Sequence, residues 1–375
     1  MVPNPNRPQD SLLQTGFQLT SKVINRLQGM GVTDVWIRHD GLAFLDDMID
    51  DGAEMGYREV YATVRKQFEA LQNRHVAQLD YMEYHEQVRL LFDSLMNNPA
   101  VMKCCTAMLR QGDYLFTHAS NVSYLCLLMG MKLEKYMIEQ REVMDWKMAR
   151  DVTHLGIGAL LHDVGVLGID RSIVEKDGNR TEDEEAQFRE HTTLGFEKVR
   201  EAFRPPQANI VLNHHQRYDG SGYPSLKDPL TGETKPPQSG DGIHIFSRIA
   251  AICDVYDSAT NSRPWKPGKM PIEILREIKY DCADWFDPVV REAFLEIVPA
   301  CPPGSQVELS DGRRGAVLEH VPSAPCRPVI KVFYDTDGTE LFGDEQPTVK
   351  LADEENAHLH IKTLLGRNVE ELLFE

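Results

Sequence analysis

Apolar residues recur at helical spacing in two places in the first hundred residues. Val23, Ile24 and Leu27 share one face of a helix predicted from Thr20 to Gly31. From about Glu54 to Met96 a long charged stretch keeps an amphipathic helical period. Between the two, VTDVWI (32–37) alternates like a short strand. Residues 100–300 are dominated by helical periodicity with clear start signals. Thr181 and Glu184 make a capping-box pattern, and Asp287 followed by Pro288 supplies an N-cap and first-turn proline before VVREAFLEIV. LLHDVG closes an apolar helix, with Gly165 reading as its stop. At ACPPGS (300–305) the composition changes. VEL, RRGAVLEHV, PVIKVFYD and a DG turn then read as strands, and the chain from Glu354 reads as helical again. The expected architecture is mainly α. A small mixed α/β segment spans 1–54, a connecting amphipathic helix 55–99, a helical catalytic domain 100–300, and a small β-rich unit with a terminal helix 301–375. The 54–96 helix offers a homodimer face or a surface for packing on its own domain. Its His75 and His85 read as solvent or interface histidines.

Charge narrows the partners. The formal net charge of −18 repels nucleic acid and anionic membranes, so a polyanionic substrate needs local cations. No stretch reaches the ~18 consecutive apolar residues of a membrane span. The start MVPNPNRPQDS lacks the segments of a secretory signal. The seven cysteines show no CxxC spacing, which predicts free thiols in a reducing cytoplasm.

The chemistry lies in histidines and aspartates on core-facing helical positions. His118 is in phase with Val122, Leu125 and Met129, and His162 follows Val152, Leu155 and Ala159. His191 shares a face with Phe188, Gly195 and Val199, and Gly195 leaves room beside the imidazole. His214 and His215 follow Ile210 and Val211 by one turn, and Asp254 sits among Ser247, Ala250, Ala251 and Ser258. A single histidine on such a face is usually a hydrogen-bonded core residue, which is the reading for His154 and His244. Coincidence of this many, with Asp163 at a helix C-terminus where the dipole disfavours an acid, points to a centre of imidazole and carboxylate ligands. Two-metal sites of this kind place their ions ~3.5–4 Å apart.

HDVG (162–165), HHQRYDGSGYP (214–224) and CDVYDSATNSRPWK (253–266) together resemble the HD-GYP family, a branch of the HD metal-phosphohydrolase superfamily, over about residues 100–300. The resemblance implies an HD-type helical bundle with two or three metal ions, usually iron or manganese. It further implies hydrolysis of the second messenger cyclic di-GMP to linear pGpG, with GMP after a second cut. Residue by residue, it implies metal ligation by His118, His162, Asp163, His191, His214, His215 and Asp254. Asp163 would bridge the metals and, with His162, carry catalysis. Asp219, Gly220, Gly222, Tyr223 and Pro224 match the GYP turn, which braces the site and meets substrate through Asp219, Gly222 and Tyr223. Arg263 and Lys266 match the phosphate-contacting cations.

Two departures qualify what the resemblance implies. The family reads HDxGK, and this chain has Val166 in place of the lysine. A lost hydrogen bond to a charged group costs ~1.5–3 kcal/mol, roughly tenfold to a hundred-and-fifty-fold in rate. Arg171 or Lys176 could substitute in part. Members with a third metal carry a glutamate four residues before the first histidine. Here Tyr114 stands there, with Asp113 before it, which favours two metals and leaves a third open. Two alternatives follow: a weakly active or inactive sensor that binds a cyclic dinucleotide and signals through partners, and a phosphodiesterase for another cyclic dinucleotide.

Overall fold

The structure, a computed structural model, describes residues 2–4, 7–13, 18–29, 51–73, 79–97, 114–141, 145–225, 230–262 and 267–374. VTDVWI, His75, Cys104, Cys105, Asp113, Arg263 and Lys266 lie outside the described residues. The chain opens with an antiparallel pair that the sequence pattern did not predict, β1 (Val2–Asn4) and β2 (Arg7–Leu13), followed by α1 (Ser21–Gly29).

The stretch expected as one long helix is two, α2 (Asp51–Asn73) and α3 (Tyr81–Asn97). Asp80 starts the second, its Oδ1 accepting from the backbone N–H of Met82 at 2.9 Å and of Glu83 at 3.3 Å. The two helices pair: Lys66 and Gln67 both donate to Glu83, at 2.9 and 2.8 Å. Their apolar faces point inward. Val60, Val64 and Phe68 join Tyr84, Val88, Leu91 and Leu95 in the main core, leaving Met82, Leu90 and Met96 exposed on α3.

That core surrounds α4 (Tyr114–Lys132), which is buried on every side from Phe116 to Gly130. A helix apolar all round is a central one. After α5 (Glu134–Glu139) and α6 (Trp146–Ala149) comes α7 (Thr153–Leu161), whose glycines set how closely its neighbours approach. A Cβ at Gly156 would meet Val88 at 2.7 Å and Leu127 at 2.9 Å, and one at Gly158 would meet Ile210 at 2.4 Å. The next helices are α8 (Arg171–Val174), α9 (Glu182–Arg189), α10 (His191–Val199) and α11 (Pro205–Asn213). They are followed by α12 (Ile245–Thr260), α13 (Pro271–Arg276) and α14 (Pro288–Ile297). The Thr181–Glu184 capping box and the Asp287 cap form as the sequence indicates. His244 caps α12, accepting from Phe246 N–H at 3.2 Å. Asp287 also accepts from Tyr136 and from buried Arg248, which ties α5, α12 and α14 together.

Beyond residue 305 lies a six-stranded antiparallel sheet in the order β6–β5–β4–β3–β7–β8. Its strands are β3 (Gln306–Leu309), β4 (Arg314–Glu319), β5 (Val329–Tyr334), β6 (Thr348–Lys350), β7 (Ile361–Leu364) and β8 (Arg367–Asn368). It docks on α13 and α14, where Arg367 donates to Glu273 at 3.0 Å and His320 to the Glu296 carbonyl at 2.8 Å. The expected terminal helix is absent from the described residues. Leu365 and Gly366, both at positive φ, form a tight turn that folds β8 back on β7, and only short 3-10 turns flank these strands. Cys126, Cys253, Cys282, Cys301 and Cys326 are free thiols. Among the described residues no helix is long and apolar enough to cross a membrane.

Candidate metal centre

All seven ligand candidates meet in the helical core, in two groups. His118, His162 and Asp254 are buried together, and Asp163, His191, His214 and His215 form the second group. The elements explain the convergence. His118 is on central α4, His162 is the C-cap of α7, and Asp163 follows it. His191 opens α10 where the chain bends from α9, His214 is the C-cap of α11, and Asp254 is on α12.

Hydrogen bonding fixes the state of four imidazoles. The Nδ1 of His162 faces the Ala159 carbonyl at 2.7 Å, that of His191 the Phe188 carbonyl at 2.7 Å, and that of His214 the Val211 carbonyl at 3.0 Å. A carbonyl only accepts, so each Nδ1 carries a proton, and a neutral ring so held presents a bare Nε2. These carbonyls lie in last turns, where a helix's own ladder ends. His118 Nδ1 faces the Asp257 carboxylate at 2.7 Å, which fixes the same tautomer. Yet the Nε2 atoms of His118 and His162 face each other at 3.1 Å, and those of His191 and His214 at 3.4 Å. Two lone pairs so placed repel unless a proton or a cation lies between them. The donor set therefore fits a metal ion in each group.

Aspartates join the groups. Asp163 Oδ1 lies 3.4 Å from His191 and 3.8 Å from His214, while its Oδ2 lies 3.5 Å from His162 and 3.7 Å from His118. Asp254 Oδ1 is 3.1 Å from His118 Nε2, and its Oδ2 is 3.6 Å from His215. Burial alone would raise both carboxyls, but the surrounding imidazoles hold both below the ordinary range. Burial lowers His214 well below its usual value, reinforced by His215, and brings His215 down to about 4. His118 goes the other way. Burial would lower it, but Tyr114 and the carboxylates of Asp254 and Asp257 raise it.

The GYP segment covers the second group. Tyr223 stacks on His215 with ring centroids 4.6 Å apart, and Arg189 lies 4.9 Å above the other partner of that stack, the Tyr223 ring. Tyr223 N–H donates to the His215 carbonyl at 3.1 Å, and Gln216 holds the Pro224 carbonyl at 2.8 Å. Gly222 has to be glycine, since a Cβ would fall 2.4 Å from Arg217 N and 2.5 Å from His215 O. Gly220 takes φ +82. Asp219 points its Oδ1 at Ser221 N–H, 2.8 Å away, and shapes the turn. Arg217 stacks on Trp285, its guanidinium 3.3 Å from the ring centre.

Three expectations change. Gly165 does not stop α7 with a left-handed turn, because α7 ends at Leu161 and Gly165 lies inside a 3-10 turn, Val164–Gly168. Its role is close approach: a Cβ there would meet the His191 carbonyl at 1.9 Å. Gly195 admits this same segment and Val211. Val166 is buried, and the two suggested substitutes are engaged elsewhere, Arg171 with Glu175 at 2.8 Å and Lys176 with Glu184. Of the residues the sequence reading passed over, Asp257 matters most. Its position one turn after Asp254 on α12 was the available signal. Tyr114 lies flat on His118, with centroids 5.4 Å and planes 7° apart. His244 is a helix cap, and among the described residues His154 Nδ1 is buried without a hydrogen-bond partner.

Comparison with known proteins agrees with this architecture. Residues 132–290 match the HD domain family, and residues 306–364 match the KOW domain associated with HD domain. A cyclic di-GMP phosphodiesterase of Pseudomonas aeruginosa is 30% identical over 247 residues, which is 64% of this chain and 53% of that protein. A cyclic di-GMP phosphodiesterase of Thermotoga maritima is 37% identical over 150 residues, 39% of this chain and 38% of that protein. A 3′3′-cGAMP-specific phosphodiesterase of Vibrio cholerae is 32% identical over 139 residues, 36% of this chain and 24% of that protein. The chain thus spans about half the length of the first of these relatives and less of the others.

Proposed function

We propose that this chain, whose residues 132–290 match the HD domain family, is a metal-dependent phosphodiesterase of the HD-GYP type that opens cyclic di-GMP to linear pGpG. The observation that carries the reading is the paired Nε2 atoms at 3.1 and 3.4 Å, whose rings have already placed their protons on Nδ1. Such pairs suit two divalent ions held by seven ligands, with Asp163 reaching both groups. Iron or manganese suits the nitrogen and oxygen donors. Two ions rather than three suits the Tyr114 ring lying against His118. Bound ions of this kind polarise a phosphoryl oxygen and bring the pKa of water from ~15.7 toward ~7.

The protein's own part is orientation and charge. Asp163, kept ionised by the surrounding imidazoles, reaches both groups and orients the attacking water between them. Tyr223 and the glycine turn wall the more open side at His215, so substrate enters there. Arg189 and Arg217 stand on that segment or against it, and with Arg263 and Lys266 they meet the phosphates of a dianionic dinucleotide that the net charge of −18 would otherwise repel. The test is a product assay on protein loaded with manganese or iron, offering cyclic di-GMP and 3′3′-cGAMP in competition. Cyclic di-GMP should be converted to pGpG and His162→Ala should be inactive. Turnover retained in that variant would overturn the site.

A second reading has one observation behind it. Val166 removes the family lysine, and Arg171 and Lys176 are each ion-paired with a glutamate of their own segment. That favours slow turnover and a role in sensing a cyclic dinucleotide. Tight binding of cyclic di-GMP with no product over hours would decide for it.

A further inference from the structure

Among the four imidazoles presenting Nε2, three are held by a carbonyl three residues back in the chain, and His118 is not. It lies inside α4, where the helix ladder already uses those carbonyls. Its Nδ1–H donates instead to Asp257 on α12, 139 positions away in sequence. The other oxygen of Asp257 accepts from Asn121 Nδ2 at 2.7 Å, and Asn121 Oδ1 accepts from Tyr57 OH at 3.0 Å. Asn121 and Asp257 are 2% and 4% exposed, so water does not compete for these bonds. Each link runs in one direction only: the hydroxyl donates, the amide accepts once and donates once, and the carboxylate accepts twice.

We propose that Asp257, Asn121 and Tyr57 form a positioning relay that fixes His118 as an Nε2 ligand, and that helix α2 is thereby a working part of the metal centre. The inference rests on the metal-centre reading above. It reaches beyond the HD match at 132–290, since Tyr57, His118 and Asn121 all precede it. Three helices, α2, α4 and α12, share one hydrogen-bonded line, so the buried group is complete only with α2 docked. A displacement of α2 would loosen His118 while leaving the group around His191 and His214 held by its own backbone.

The experiment is a Mn2+ titration of the full chain, counting ions bound and their affinities, with the His118 tautomer read from 15N shifts of the Zn2+-loaded protein. Asp257→Asn is nearly isosteric but sets an amide N–H2 against another donor, at His118 or at Asn121. It should weaken one of two ions by about 10- to 100-fold, as outer partners of ligand histidines do, and leave the other. Tyr57→Phe should weaken the same ion by about fivefold, the worth of one ordinary hydrogen bond. The decisive variant combines Asp257→Asn with Asn121→Asp. The new amide accepts from His118 and donates to the new carboxylate, which also accepts from Tyr57, so direction is restored along the whole line. Recovery of the weakened ion and of the wild-type tautomer is the expected result, and a merely structural aspartate would not give it. Unaltered binding in Asp257→Asn, or equal weakening of both ions with no recovery in the double variant, overturns the relay. A wild-type chain that binds two ions but does not cleave cyclic di-GMP overturns the proposed activity alone. A wild-type chain that binds no Mn2+ overturns the centre and this inference with it.

Discussion

The two halves of the centre are built by different means. Around His118, His162 and Asp254 everything is buried, and the key imidazole is held by side chains from distant helices. Around His191 and His214 the imidazoles are held by backbone carbonyls of their own helical segments, and the far wall is a glycine turn carrying Tyr223. The first half therefore depends on how α2, α4 and α12 are docked. The second depends on local backbone shape, and it is the half that meets solvent through Asp163 and His215. On the proposed reading, such a site would separate a closed, globally positioned ion from an open, locally positioned one.

The variant that breaks the comparison altogether is His162→Ala. His162 faces His118 in one half, and its ring centroid is 4.9 Å from that of His214 in the other. Activity should fall by at least roughly a thousandfold, beyond the 10- to 100-fold of an outer partner, with metal content reduced in both halves on elemental analysis. Full occupancy of one half would show that the halves are more independent than the shared Asp163 suggests.

Gly222→Ala should strike the open half only. The new Cβ meets backbone on three sides, at 2.4 Å from Arg217 N, 2.5 Å from His215 O and 2.7 Å from Gln216 Cα. The turn has to shift, and with it Tyr223 and His215. A loss of about 100-fold in kcat/KM, near 2.7 kcal/mol of transition-state stabilisation, is expected, with the ion of the buried half retained. Loss of both ions would contradict the division.

How much of this was legible in the sequence follows the same division. The ligand candidates were visible because the histidines and Asp254 lie on apolar faces and HDVG and HHQRYDGSGYP have distinctive spacing, and the structure brings all seven together. The turn glycines were visible as turn residues, while the reason for Gly165 and Gly195, two backbone segments in contact, exists only in three dimensions. Asp257 could have been found from its place one turn beyond Asp254. Tyr57 could not, because nothing local ties a residue of α2 to one of α12. The break between α2 and α3 was missed because each helix is amphipathic in its own right and the Asp80 cap is a single residue, although the apolar face slips by nearly half a turn between Phe68 and Tyr84. The terminal helix was misread because charged helix formers at 354–357 outweighed the Leu365–Gly366 turn.

Val166→Lys tests the chemistry shared by the halves. If the family lysine serves the phosphate or the attacking oxygen, restoring it should raise kcat by about tenfold with little change in metal affinity. Because Val166 is buried, its replacement has to extend its ammonium to the polar centre. A drop in melting temperature without a gain in kcat would mean that the lysine has no path to the site in this chain.

Acid should reach the two halves by separate routes, and the smallest predicted effect at neutral pH isolates one of them. His244 caps α12, the helix that carries Asp254 and Asp257. Burial, with Arg141 and Arg248 nearby, pushes its pKa down from 6.5 to about 4. Between those values the unfolded chain binds a proton that the folded chain refuses. The neutral cap thus contributes stability that is complete above pH 6.5 and is lost as pH falls toward 4, roughly 3 kcal/mol at 1.36 kcal/mol per tenfold change in proton affinity. His244→Asn keeps a good cap without a titrating ring. It should leave melting temperature and activity at pH 7.5 nearly unchanged and flatten the fall in melting temperature between pH 6.5 and 4. If the fall is as steep in the variant, acid acts on the ligand imidazoles of the open half, such as His215, rather than on the scaffold of the buried one.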